Sequence, residues 1–131
     1  MAIDVLVAED EPAIMESLDF ILRRAGWNIL TVTHGDAVME AVRRHRPRIV
    51  VLDLMLPRLS GFEVLKQIRA DAELKGLPVL ILTARGQAQD RQAAEDLGAS
   101  GLVTKPYANA DVVAAVRRLL AEAEAPHGGT L

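Results

Sequence analysis

Cysteine is absent from these 131 residues. Disulfides, thiolate catalysis and cysteine-ligated zinc are thereby excluded, and a reducing compartment fits. Aromatics are nearly as scarce, limited to Phe20, Trp27, Phe62 and Tyr107. The core must therefore be built from Leu, Val, Ile and Ala, a profile common in α/β proteins. No apolar run exceeds strand length and no signal-peptide pattern is visible, so a soluble cytoplasmic protein without membrane association is expected. Nor is there a strong charge excess. A net charge of -3 argues against a general nucleic-acid binder, whose affinity rests on Lys and Arg neutralising phosphates. The length suits one domain with its own core, and no repeat or low-complexity tract interrupts it.

What is present is an alternation of short apolar strands and amphipathic helices. Ile3 to Ala8 reads as a strand that runs into Glu9-Asp10-Glu11-Pro12, where Asp10 is expected to cap a helix with Glu11 and Pro12 in its first turn. Ile14, Leu18, Ile21 and Leu22 recur at helical spacing, and Arg23-Arg24 before Gly26 is a helix stop. Trp27 to Val32 is a second strand, and a second helix follows Gly35 and ends at Arg43-Arg44-His45-Arg46 before Pro47. Ile49-Val50-Val51-Leu52 reads as a strand buried on both faces, ending abruptly in Asp53 and a loop containing Pro57. Ser60 with Glu63 predicts a capping box for a third helix whose apolar face carries Leu65 and Ile68. Leu77 to Leu82 is a fourth strand, ending in Thr83-Ala84, and a polar fourth helix spans roughly Gln87 to Leu97 before Gly98. Leu102 to Thr104 is a fifth strand, followed at once by Lys105-Pro106. Asn109 or Asp111 opens a last helix that turns Val112, Val113, Val116, Leu119 and Leu120 inward. Five strands alternating with five helices require a parallel sheet covered on both faces, because each crossover needs a helix-length connection.

Polar residues stand after four of the five strands: Glu9 and Asp10, then Asp53, Thr83 and Lys105. In a parallel sheet those ends share one edge, where ligands bind in open α/β folds. Converging carboxylates repel unless a cation sits among them. Oxygen ligands without His or Cys favour a hard ion, Mg²⁺ before Mn²⁺ or Ca²⁺, and Mg²⁺ expects phosphate oxygens to complete its octahedron. A hydroxyl from Thr83 and an ammonium from Lys105 suit a tetrahedral dianion. The combination points to phosphoryl transfer onto Asp53 as nucleophile.

In these residues the chain resembles the response-regulator receiver domain of bacterial two-component signalling, of the chemotaxis-regulator kind. The resemblance covers residues 3–122 and rests on Glu9-Asp10, on Asp53-Leu54-Met55-Leu56-Pro57 with Gly61 and Glu63 after it, on Thr83-Ala84, and on Lys105-Pro106-Tyr107. It implies a flavodoxin-like doubly wound five-stranded parallel sheet of order 2-1-3-4-5 with five helices, the order of the chemotaxis member of that family. A receiver is thus expected over residues 1–122 and a flexible tail over 123–131, frayed from Pro126 onward. The resemblance further implies a histidine kinase or histidine phosphotransfer protein as donor to Asp53. Mg²⁺, or Mn²⁺, would be held by Asp10, Asp53 and the backbone carbonyl of Met55, with Glu9 acting mainly through water. Lys105 would bind the phosphoryl oxygen, Thr83 and Ala84 would belong to the switch, and Lys105-Pro106 would be a cis peptide. Phosphorylation would bias a two-state equilibrium of strand four, helix four and strand five, and receivers also hydrolyse their own aspartyl phosphate, with Met55 and Arg85 at the positions that tune its lifetime.

The sequence departs from the family's usual pattern at Leu102, three residues before Lys105, where receivers usually carry Tyr or Phe. Output is therefore expected to use the helix-four region with little aromatic gating, and Tyr107 is not a substitute. Ser100-Gly101-Leu102 also lacks the acidic pair and aromatic frequent in regulators that dimerise through helix four, strand five and helix five, so a monomer or weak dimer is expected. Either a stand-alone regulator or a receiver cut from a longer DNA-binding regulator fits the chain. Glu11 is read only as a helix-dipole acid, and the basic run Arg43 to Arg48 as a solvated helix end rather than a nucleic-acid or membrane patch. His34, His45 and His127 lack metal-ligand spacing, and Gly98 to Gly101 leads into a strand, which a phosphate loop does not. A haloacid-dehalogenase-type phosphatase would want a second Asp at position 55, where Met stands, and a flavin module would want a phosphate loop where Glu9 and Asp10 stand. A receiver fold that only docks and is never phosphorylated stays open.

Overall fold

The computed structural model describes residues 2–84 and 88–124. Five strands, β1 (Val5–Ala8), β2 (Ile29–Val32), β3 (Ile49–Asp53), β4 (Val79–Thr83) and β5 (Gly101–Thr104), alternate with α1 (Pro12–Arg24), α2 (Asp36–His45), α3 (Gly61–Ala70), α4 (Ala88–Asp96) and α5 (Asn109–Glu124). All pairings are parallel and the sheet order is β2-β1-β3-β4-β5, so the expected fold class and topology are those observed.

Side-chain alternation along the strands sorts the core into two layers. Leu6, Ala8, Val50, Leu52 and Ile81 face α2 and α3, meeting Val38, Val42, Val64, Leu65 and Ile68. Val5, Val7, Ile49, Val51, Leu80 and Leu82 face the other way, against Leu18 and Leu22 of α1 and Val112, Val116, Leu119 and Leu120 of α5. The central strands β1, β3 and β4 are buried at every position, as expected of strands covered on both faces. Helix α4 contributes one buried side chain, Ala94.

Several boundaries differ from expectation. Strand β2 begins at Ile29, because Trp27 and Asn28 belong to the corner after α1: the Trp27 N–H donates to the Leu22 carbonyl and Asn28 bonds to Asp4 and Ala2. Strand β4 begins at Val79, after a turn in which Leu77 N–H donates to Leu74 O. Helix α4 ends at Asp96, and Gln87, where it was expected to start, lies outside the described residues, as do Arg85 and His127. Helix α5 starts at Asn109, with the Asp111 carboxylate accepting the Ala108 N–H, and it runs to Glu124, past the expected boundary at 122. The rest of the expected tail lies outside the described residues.

The expected helix stops hold. Gly26 and Gly98 have φ of 106° and 97°, which a Cβ would oppose, and the backbone closes behind them with Trp27 N–H to Leu22 O and Ala99 N–H to Ala94 O. Ser60 Oγ accepts the Glu63 N–H at 3.3 Å, one half of the capping box. Asp10 does not cap α1. The N-cap is Glu11, without a side-chain cap, and the carboxylate that takes the free Glu11 N–H at 3.1 Å is that of Glu9. The basic run is an ion-paired surface: Arg43 meets Asp71, Arg46 meets Glu73, and Arg48 meets Asp4 and Glu124.

At the N-terminal edge of the sheet, Arg69 ties three segments together. Its Nε donates to Gly98 O (2.8 Å), Nη1 to Leu77 O (2.7 Å) and Lys75 O (3.1 Å), and Nη2 to Ser100 Oγ (3.1 Å). No carboxylate pairs with it among the described residues, and burial lowers its pKa.

Candidate active site at the strand ends

Parallel register brings the expected residues to one edge. Ala8 pairs with Leu52, Asp53 with Leu82 and Thr83 with Thr104, so Glu9, Asp53, Thr83 and Lys105 leave adjacent strands at the same level. Glu9, Asp53 and Thr83 are buried, at 1%, 4% and 1% exposure, whereas Asp10 is exposed. Lys105 Nζ lies 3.2 Å from Asp53 Oδ2 and 3.4 Å from Glu9 Oε1. The Met55 N–H donates to Asp53 Oδ1 at 3.2 Å, so each oxygen of that carboxylate is engaged from a different side.

One carboxylate oxygen each from Glu9, Asp10 and Asp53 lie within 4.8 Å of one another. At an effective dielectric constant of ~20, two unit charges at that distance repel by about 3 kcal/mol. Burial raises the Glu9 pKa, the hydrogen bond from Glu11 opposes that shift, and the Asp53 charge adds to it. Burial works against the Lys105 ammonium, but Asp53 and Glu9 outweigh it and hold that pKa above the ordinary lysine value. Three carboxylates and one ammonium leave two formal negative charges, an arrangement suited to a hard dication.

A second group in the site is incomplete. Thr83 Oγ1 is buried and has no hydrogen-bond partner among the described residues. It stands on β4, one residue beyond the partner of Asp53. An orphaned buried hydroxyl costs about 1–3 kcal/mol, and an oxygen-rich ligand at Asp53 would satisfy it.

The remaining expected residues divide by location. Lys105-Pro106 is a cis peptide, and Ala84 and Pro106 are exposed. Met55 is 69% exposed at the mouth of the site. Leu102 is half-buried on the α2–α3 side of the sheet. Tyr107 packs on the opposite side, where burial raises its phenol pKa. His34 is half-buried and bonded to Asp36, while His45 is exposed. Among the described residues no helix is long and apolar enough to cross a membrane.

A family model, the response regulator receiver domain, matches residues 5–117. The chain belongs to that family. Receivers of this family take phosphoryl groups from histidine kinases, and this chain is a receiver domain of two-component signalling. It is 46% identical over 118 residues to a Mycobacterium tuberculosis protein named Probable transcriptional regulatory protein TcrX, covering 90% of this chain and 50% of that protein. To the Bacillus subtilis alkaline phosphatase synthesis transcriptional regulatory protein PhoP it is 35% identical, covering 92% and 49%. The chain thus spans about half the length of the curated relatives it matches.

Solved receivers match its fold. The signal receiver domain of a histidine kinase from Syntrophus aciditrophicus superposes with a TM-score of 0.88 at 26% identity, covering 99% of this chain and 98% of that one. The receiver domain of the sensor histidine kinase PA1611 from Pseudomonas aeruginosa gives 0.83 at 25%, covering 92% and 98%, and that structure has a magnesium ion coordinated in its active-site cleft.

Sequence reading missed two residues. Arg58 has φ of 71° in the loop after Asp53, and the glycine at 35 packs against that loop. Positive φ at an arginine has no local sequence signal. A glycine needed only for space looks like any other.

Proposed function

We propose that Asp53 accepts a phosphoryl group from a phosphohistidine on a histidine kinase or phosphotransfer protein. An Asp53 oxygen bonds to phosphorus as the phosphorus–nitrogen bond breaks, and the imidazole leaves with the electron pair. Asp10, Asp53, the Met55 carbonyl and Glu9 would hold Mg²⁺, with Mn²⁺ as the alternative ion. The dication supplies charge neutralisation for the phosphoryl oxygens. Lys105 stays protonated, moves its hydrogen bond from Asp53 Oδ2 to a phosphoryl oxygen, and keeps Glu9 as its second partner. The Thr83 hydroxyl donates to another phosphoryl oxygen.

The observation that carries this reading is the buried Thr83 hydroxyl, without a partner among the described residues, on the strand next to a carboxylate already paired with Lys105. Formation of that bond biases α4 and β5, and the α4, β5 and α5 surface is what a downstream partner reads. Leu102 takes the place of the aromatic residue usual there, so the change is carried by α4 rather than by a swinging ring. A monomer or weak dimer fits the sequence at β5. A second reading, the receiver of a longer DNA-binding regulator, draws support from relatives that are named transcriptional regulators and are about twice as long.

The test is incubation with a small-molecule phosphodonor and Mg²⁺, read by intact mass beside Asp53→Ala. One phosphoryl group on the wild type and none on the variant is expected. No uptake from any of several donors leaves a docking-only module as the function.

A further inference from the structure

The loop from Leu54 to Ser60 carries Met55, whose N–H holds Asp53 Oδ1, and its shape is not self-supporting. Leu59 N–H donates to Pro57 O at 2.8 Å across Arg58, whose φ is 71°. This is the bond spacing of a γ-turn with positive φ, a strained conformation that persists only when neighbours impose it. One neighbour is the corner between β2 and α2. Gly35 N–H donates to the same Pro57 oxygen at 3.2 Å, and Asp36 Oδ2 lies 3.6 Å from Arg58 Nη1.

Gly35 itself has φ of -66° and ψ of -34°, which any residue adopts, so its backbone does not call for glycine. Space does. A Cβ there would stand 1.7 Å from the Leu59 oxygen and 2.6 Å from the Leu59 carbonyl carbon, both backbone atoms. At the far end of the loop Gly61 does the same. Its N–H donates to Leu54 O at 2.9 Å, and a Cβ would lie 2.5 Å from Asp53 O and 2.7 Å from Leu54 Cα. Two close backbone approaches thus bracket the segment that presents Met55 to Asp53.

We propose that Gly35 is a positioning residue of the site: by letting the β2–α2 corner press against Pro57 and Leu59, it sets where the Met55 backbone stands relative to Asp53, and so how tightly the acidic cluster takes a divalent cation. The inference rests on the phosphoacceptor reading above. Gly35 touches neither carboxylate nor phosphoryl group and acts through the loop alone.

The experiment compares wild type, Gly35→Ala and Gly76→Ala, the last at a glycine whose Cβ would meet nothing within 4 Å. Mg²⁺ affinity is measured by titration of the Asp53 to Met55 amide resonances, and phosphoryl uptake is followed as a function of Mg²⁺ concentration. Gly35→Ala is expected to bind Mg²⁺ about tenfold more weakly, as loss of an outer support of a metal site typically does. Its uptake at saturating Mg²⁺ is expected to return to within about twofold of wild type, the pattern of a lost binding contribution rather than a lost chemical one. Gly76→Ala should match wild type. Unchanged Mg²⁺ affinity in Gly35→Ala, or uptake that saturating Mg²⁺ does not restore, overturns the proposal.

Should Gly35→Ala lose its cooperative melt, the measurement passes to Asp36→Ala, which cuts the exposed tie to Arg58 together with the bond to His34, beside His34→Ala, which cuts the second bond alone and should match wild type. For Asp36→Ala an affinity about two- to threefold below wild type is then expected, and an unchanged one overturns the proposal. A wild type that binds no Mg²⁺ and takes no phosphoryl group refutes the phosphoacceptor reading instead, so the two failures are distinguishable.

Discussion

Replacing Thr83 by valine should make the unphosphorylated protein more stable while impairing its response. The hydroxyl oxygen is buried and has no partner among the described residues, so it carries a desolvation cost of about 1–3 kcal/mol that none of their hydrogen bonds offsets. Valine keeps the branched shape β4 requires and puts a methyl group where that oxygen stands. Part of the cost is recovered, so a gain of about 1–2 kcal/mol is expected, equivalent to roughly 3–6 °C in Tm for a domain of this size. Urea unfolding in metal-free buffer, followed through Trp27, the single tryptophan, and by circular dichroism, gives the number directly. Wild-type protein should also show phosphorylation-induced amide shifts from Ala88 to Thr104, and Thr83→Val should show a much reduced set while still gaining phosphate at Asp53. If the variant is destabilised by more than about 0.5 kcal/mol, the hydroxyl is satisfied and the stored cost does not exist. Full-sized shifts in the variant would show that Thr83 does not transmit the signal.

The other outcomes can be stated briefly. Tyr107 is the only tyrosine, so absorbance titration reports it alone. Burial should place its midpoint above the ordinary ~10, and Lys105→Met should raise it further by removing the charge that opposes the shift. Because this folded-state pKa is raised, the associated stability is present below the unfolded value and is lost as pH climbs through the folded one. Arg69→Met should destabilise by about 2–4 kcal/mol in urea, since it leaves the Gly98 and Leu77 carbonyls without their donor, and Arg69→Lys should recover only part because an ammonium lacks the planar fork. A loss below about 0.5 kcal/mol for Arg69→Met would mean that water replaces the guanidinium at no cost.

What was legible in the sequence followed from rules that act within a few residues. Ile49 to Leu52 announced a strand covered on both faces, and Gly26 and Gly98 marked helix ends because each must adopt positive φ. The strand-end residues Glu9, Asp53, Thr83 and Lys105 could be assembled because parallel topology puts every strand's end on one edge. Asp10 was misread as a cap because capping preference is a property of residue type. Which carboxylate reaches the free N–H depends on the chain's path into α1, and that path favours Glu9. The contact of Gly35 with Leu59 and the reach of Arg69 to Gly98 join segments far apart in sequence, so no local pattern encodes them.

Helix α4 is fastened at its C-terminal end. A helix of nine residues with only Ala94 in the core gains little from its length, whereas its C-terminal exit is held by Arg69 on the Gly98 carbonyl and by Ser100, which exchanges hydrogen bonds with Val79. A tilt driven from the site would turn such a body as a lever about its tethered end. Nine residues span about 13 Å at 1.5 Å each, so a tilt of about 10° displaces the opposite end by roughly 2 Å and the pinned end hardly at all. The opposite end is the one that follows Thr83. On the proposed reading, displacement of the surface would be greatest where the chemistry starts it, and the fulcrum would be a guanidinium on the far edge of the sheet.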